Sequence, residues 1–247
     1  MEKTKKKDFI ELEFTARIKE SGIIFDTNIK EDAKSMDINS ENLKPLKICI
    51  GQEMVVRGLD KELENKEVGE KCKINVTPED GFGMRNPKLI RIIPMKVFIE
   101  RNINPVKGLI LNMDGMIARI ASVSGGRVTI GLNNPLSGKI VQYDFVIKRI
   151  IKEEKEKIIS LTRFFCGEEP DEKDIVIEGK KAEIRLKSKI NTEFLRIKIK
   201  DTLGLEAEIK DLENPLAKSK HKVLEALENP LAKEVKNESG KELSKNS

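Results

Sequence analysis

"IGQEMVVRGLDKELENKEVG", residues 50–69, is the stretch on which the reading of this chain turns. Val55 and Val56 stand together just ahead of Gly58, and a charged amphipathic run follows until Gly69 closes it. Leu59 and Leu63 are four apart, with Val55 four residues earlier, which is the spacing of one helical face. A purely structural helix starts with a cap and spreads its apolar residues evenly. Here they crowd at the entrance, as the floor of a pocket would.

The flanking segments are strands. In "FIELEFTARIK" (9–19), Ile10, Leu12, Phe14, Ala16 and Ile18 alternate with polar residues, the period of a half-buried strand. Ser21-Gly22 turns the chain and "IIFDT" (23–27) returns it, while the polar residues 28–42 read as a loop. "LKICI" (46–50) and "KCKINVT" (71–77) alternate again, and "IVQYDFVIKRII" (140–151) puts Val141, Tyr143, Phe145 and Ile147 on one face. Strands around one short helix predict an α+β fold, a curved antiparallel half-barrel wrapped on that helix. Between "TPEDGFG" (77–83) and "NNPLSGK" (133–139) lie separate strand-like pieces, "LIRII", "GLILNMDGMIARIASV" and "RVTIGL", with a hairpin turn at Ser124-Gly125-Gly126. The organisation expected is one domain, residues 1–83 and 132–152, interrupted by a small β-rich insertion, residues 84–131.

Beyond it, "DIVIEGKKAEIRLKSKI" reads as two strands about Glu178-Gly179, "NTEFLRIKIKDTLGL" as a helix and "EAEIKDL" as a closing strand: a small α/β module over 153–212. "LENPLAK" occurs twice, at 212–218 and 227–233, within a tail (213–247) read as a duplicated, partly disordered segment.

Composition narrows the function. The 247 residues are 38% apolar and 36% charged, and 47 basic residues against 42 acidic leave +5, too mixed a balance to demand a nucleic-acid partner. Cys49, Cys72 and Cys166 are an odd number without CxxC spacing, which argues against a disulfide framework or zinc site. No run approaches the roughly 18 apolar residues of a membrane span, and the basic start "MEKTKKKDF" lacks the apolar stretch of a signal peptide. A cytoplasmic protein that does not meet membranes is expected, with Lys5–Lys7 as a solvated arm and His221 on the surface.

In this order, "FDT", "IGQEMVVRGLDKEL", "VGEKCKINVTPEDGFG" and "NNPLSGKIVQYDF" resemble an FK506-binding-protein (FKBP)-type prolyl isomerase, over residues 5–152. The insertion is similar to the insert-in-flap domain of the SlyD-like long archaeal and bacterial subfamily. The resemblance implies an FKBP-like half-barrel, isomerisation of X–Pro bonds and chaperone-like capture of unfolded polypeptide by the insertion. It implies no cofactor and no metal. Its catalytic residues would be Asp26, Phe25, Tyr143 and Phe82, and its substrate-binding residues Phe14, Leu46, Val55, Val56 and Leu59. Proline-containing or unfolded polypeptides are the partners implied, with the ribosome and weak binding of FK506-like macrolides as further candidates. The chain departs from the family pattern at Leu59, where tryptophan is frequent, at Phe14 and Phe82, where tyrosines are usual, and at Asn134, where histidine is common. Two other readings stand beside it: a peptide-binding chaperone without catalysis, and a ribosome- or RNA-associated basic protein.

Overall fold

The computed structural model describes residues 2–212 except 37, 38, 42, 114, 188 and 189. The chain divides after Lys152 into two compact units.

The first unit is built on β1 (Phe9–Ile18) and β9 (Val141–Ile151), which run antiparallel from the pair Phe9–Ile151 to the pair Ile18–Val141. β4 (Lys71–Val76) lines the other edge of β9. The free edge of β1 is shared: β3 (Leu46–Cys49) takes its N-terminal half and β2 (Ile24–Thr27) its C-terminal end. The alternation read in the sequence is largely the alternation of burial: Ile10, Leu12, Phe14 and Ala16 of β1 and Val141, Tyr143, Phe145 and Ile147 of β9 are buried, and Glu11, Glu13, Arg17 and Asp144 alternate with them. The pattern breaks where Phe9 and Thr15 are buried as well and where Ile18 is only half-buried. Those charges are paired on the opposite face, where Arg17 and Lys73 both reach Asp144 at 3.1 Å.

The opening stretch forms α2 (Arg57–Glu62), shorter than the amphipathic run suggests, with Leu59 and Leu63 in the core. It has no side-chain N-cap. Its first turn is held from outside, by Gly58 N–H donating to the Asp80 carbonyl at 2.7 Å and by Arg57 and Lys61 each 3.0 Å from the Asp80 carboxylate. The sheet comes so close that a Cβ on Gly58 would lie 2.5 Å from Val76 Cγ1.

Two segments differ from expectation. Within the polar stretch 28–42, Lys30–Lys34 forms a one-turn helix, α1. Ala33 is fully buried and Asp32 accepts from the Thr15 hydroxyl, tertiary contacts that no periodicity announces. The N-terminal arm keeps Lys5–Lys7 exposed as read, but its backbone is docked: buried Thr4 donates to the Leu63 carbonyl at 2.6 Å and Lys7 N–H to the Ile50 carbonyl at 3.0 Å.

The insertion is a four-stranded antiparallel sheet in the order β5 (Ile90–Pro94), β8 (Arg127–Gly131), β7 (Met116–Ser124), β6 (Ile110–Met113). The piece read as one long strand, 108–123, folds back beyond Met113, which pairs with Met116. The expected hairpin turns at Gly125-Gly126, both at positive φ. A further helix, α3 (Met95–Glu100), went unread in the sequence; it seats Phe98 on Ala118, Ile120, Val128 and Ile130.

The second unit opens with α4 (Glu154–Cys166), likewise unread although acidic residues in its first turn and Gly167 after its last are ordinary boundary signals. β10 (Ile175–Glu178), β11 (Lys181–Leu186), α5 (Thr192–Leu203) and β12 (Glu206–Asp211) follow as read, β11 and β12 in parallel. The tail with its repeats and His221 lies outside the described residues, apart from Leu212.

Gly58→Ala is expected to destabilise the protein by about 1–3 kcal/mol, the usual range for forcing a methyl into a full core. Denaturant unfolding of Gly58→Ala, Val76→Ala and the double variant should show the double costing clearly less than the sum, because the alanine methyl needs the space that Val76 fills.

Candidate active site

Register brings the sequence-predicted residues together. Asp26 of β2 pairs with Ala16, Ala16 with Tyr143, and Tyr143 with Ile74, so one row crosses four strands. Residues opposite one another in antiparallel strands share a face. Phe14, two residues before Ala16, shares it, and its ring centroid is 5.9 Å from that of Tyr143. Phe25 stands edge-on to Tyr143 at 6.4 Å and to Phe82 at 5.6 Å. The four aromatics thus form a connected set, with Phe14 and Tyr143 buried and Phe25 and Phe82 half-buried. Leu46 pairs across from Leu12, next along the face from Phe14, and is half-buried. Val55 and Val56 are half-buried at the entrance of α2, and Leu59 beneath them is 1% exposed.

Each wall is pinned by groups the sequence did not advertise. Asn28 brackets β1, accepting from Phe14 N–H and donating to the Leu12 carbonyl, both at 2.8 Å. Thr27 adds its hydroxyl to the Phe14 carbonyl at 3.0 Å, so Phe25 and Asp26 leave from a fixed strand end. Asp60, which looks like part of the solvent face of α2, is buried and accepts from Gly51 N–H at 2.8 Å and Glu53 N–H at 3.1 Å. It ties down the loop that delivers Val55 and Val56. Ser137 donates to the Phe82 carbonyl at 3.0 Å and Gly138 N–H to Gly83 at 2.8 Å, so "NNPLSGK" holds the Phe82 segment. The only advance signal for these polar anchors was their placement beside apolar site residues.

Electrostatics set the two polar groups of this row apart. Burial against the aromatic set raises the Asp26 carboxyl above the ordinary aspartate value, and the Thr27 backbone N–H pulls part of the way back. The residue as a whole is exposed, so the effect is local to the carboxyl. Tyr143 is raised more strongly, by burial first and then by the negative field of Asp26, so its phenol keeps its proton and stays a donor. Among the described residues no group of three His, Cys, Asp or Glu side chains is placed to hold a metal ion.

Aromatic surface gathered beside one carboxylate suits one kind of chemistry. Rotation about an X–Pro bond makes and breaks no covalent bond but faces a barrier of about 20 kcal/mol. An apolar enclosure that fits the twisted amide better than either planar isomer lowers that barrier, and a fixed carboxylate can act on the rotating dipole.

Comparison with known proteins agrees. The family model of the FKBP-type peptidyl-prolyl cis-trans isomerase matches residues 1–99, and that of the FKBP26 IF domain matches residues 91–136. A short-type peptidyl-prolyl cis-trans isomerase of Methanocaldococcus jannaschii is 27% identical over 154 residues, 62% of this chain and 97% of its own length. The FKBP-type 16 kDa isomerase of Escherichia coli is 27% identical over 49% of this chain and 83% of its own. The isomerase SlyD of Haemophilus influenzae is 33% identical over 29% of this chain and 45% of its own. The chain belongs to the FKBP-type peptidyl-prolyl cis-trans isomerases and carries an inserted IF domain. No helix among the described residues is long and apolar enough to cross a membrane.

An aspartate whose pKa is higher folded than unfolded opposes folding once it ionises. Asp26→Asn should therefore leave stability unchanged at pH values where both forms are protonated. It should make the variant the more stable of the two as pH rises through the acidic range, the difference levelling off above the folded pKa. Denaturant midpoints from pH 3 to 7 measure this, and a difference that grows towards low pH would reverse the assignment.

Proposed function

We propose that this site forms a cup that catalyses X–Pro isomerisation in unfolded chains that the inserted domain captures. In the cup, Asp26 supplies the charge, Tyr143 the hydroxyl donor, and Phe25 and Phe82 the movable rim. Phe14 and Leu59 close the floor, and Leu46, Val55 and Val56 receive the proline ring. The reading of the site rests on the ring contacts and the Asp26–Ala16–Tyr143 row, which concentrate aromatic surface around one carboxylate.

A single observation carries the capture role: the insertion leaves large apolar side chains in solvent. Ile117 is 73% exposed, Ile92 and Ile99 are 64% and Ile110 is 58%. Its fully buried core is five residues, because one sheet with one short helix has only one covered face. So small a unit cannot bury its own apolar surface, and exposed apolar patches of this kind mark sites of interaction. Fixed beside the cup, the patch raises the local concentration of unfolded chain there.

Replacing residues 84–131 by a short loop should leave isomerisation of a proline tetrapeptide near its original rate. The same change should strongly slow catalysed refolding of a proline-limited protein and abolish suppression of aggregation. Equal loss in both assays by a folded variant would make the insertion part of the catalytic pocket; loss in neither would end the capture role. For the cup, Asp26→Ala should lower tetrapeptide turnover by about tenfold or more, in line with loss of a preorganised charge. Tyr143→Phe should lower it less. Unchanged turnover in well-folded Asp26→Ala would remove the carboxylate from the mechanism.

A further inference from the structure

The insertion is a concentrated positive charge. Residues 84–131 hold eight lysines and arginines against two acidic residues, a net of +6, whereas the whole chain carries +5. The rest of the protein is therefore close to neutral. All eight basic side chains are exposed, and Lys96 alone has a carboxylate near, Glu100 at 3.8 Å. The other seven make no ion pair with any described residue.

One of these charges sits among the exposed isoleucines. The row Ile90–Gly131–Arg119–Ile110 crosses all four strands on the face opposite the insertion's core. Gly131 leaves a furrow in that row, since a Cβ there would meet nothing nearer than the Arg119 carbonyl at 4.0 Å. A groove of about 490 Å³ runs from Ile110 and Ile117 past Arg119 and Gly131 to Asn134 and Pro135. Ile110, Met116, Ile117 and Leu132 give it apolar walls, Asn133 and Asn134 add polar lining, and the Arg119 guanidinium in it makes no ion pair with any described residue.

We propose that this groove selects unfolded polypeptide segments that combine apolar side chains with an acidic residue, Arg119 taking the carboxylate while the flanking isoleucines take the apolar neighbours. This rests on the capture role proposed above and adds the class of client. Arginine is suited to the task because its planar fork binds a carboxylate through two parallel hydrogen bonds. The surrounding excess of positive charge speeds encounter with acidic chains and disfavours basic ones. A folded protein hides its apolar residues, so the pairing of isoleucine surface with arginine admits only chains that expose both.

The test uses the full-length protein and two labelled, proline-free peptides of equal length and identical apolar residues, one carrying glutamates and the other lysines. Fluorescence anisotropy at 50 mM salt should show the glutamate peptide binding at least tenfold tighter, with the preference shrinking at 300 mM salt. Arg119→Gln should reduce that preference at least threefold without weakening the lysine peptide, and Arg119→Lys should retain part of it. Equal affinity for both peptides would overturn the acidic selectivity while leaving capture intact. Binding of neither would instead remove the capture role on which it depends. A single-stranded RNA of similar length that binds more tightly than the glutamate peptide at 300 mM salt would overturn the assignment too, in favour of a nucleic-acid surface.

Discussion

The pairing of β1 with β9 is the constraint on which the rest depends. Its register puts Ala16 opposite Tyr143 and Phe14 opposite Phe145, and the pairing of β1 with β2 carries the same row to Asp26. A slip of one residue would send every buried side chain of a strand to the other face. Burial of one face prevents the slip, since Leu12 and Phe14 would exchange places with Glu11 and Glu13, which pair with Arg149 and Lys148 on the other face. The geometry of the proposed site thus comes from the same alternation that folds the sheet.

Around this sheet, polar groups fix what packing alone leaves free. Asn28 and Thr27 fasten the β2 end, Asp60 the loop before α2, and Ser137 the segment bearing Phe82. Each bonds a backbone group that would otherwise be poorly satisfied, so losing one leaves an unpaired donor or acceptor. The insertion joins at this perimeter. Asn86 and Asn133 exchange bonds across its neck, at 2.8 and 3.0 Å, within a few residues of Phe82 on one side and Ser137 on the other. A segment inserted there can grow a second surface without disturbing the row beneath it.

Much of this was legible in the sequence, unevenly. Strands with one wet face announce themselves by period two, which is why β1, β3, β4 and β9 are legible and most buried residues of β1 and β9 with them, whereas β6 and β7 read as one piece. The aromatic set was legible only through the ordered family motifs; Phe25 or Phe82 alone would have passed for core. What escaped were elements whose reason is tertiary. α1 is a single turn held by Ala33 and Asp32, and α3 exists because Phe98 needs the sheet beneath it. α4 had boundary signals that lay beyond the motifs and were not followed. Asp60 escaped for a different reason: in a helix rich in Lys and Glu, a buried carboxylate and an exposed one look the same until their partners are known.

The departures from the family pattern bear on the proposed division of work between the two parts. With phenylalanine at 14 and 82, Tyr143 is the one phenol in the chain, so the proposed cup would hold a substrate chiefly by apolar contact. Burying roughly 100 Å² of a proline and its neighbour at about 25 cal/mol per Å² contributes about 2.5 kcal/mol. That is weaker than the roughly 4 kcal/mol of a millimolar complex, before any loss of freedom on association is counted. A cup of this kind releases products quickly but seldom finds a prolyl bond in dilute solution. An adjoining surface that retains the chain changes the problem, because a tethered segment samples the cup at an effective concentration in the millimolar range. In the proposed division of labour, weak, non-polar grip in the cup and strong, charge-bearing grip on the insertion are complementary: the first would keep rotation and release fast, and the second would keep successive prolines of one client within reach.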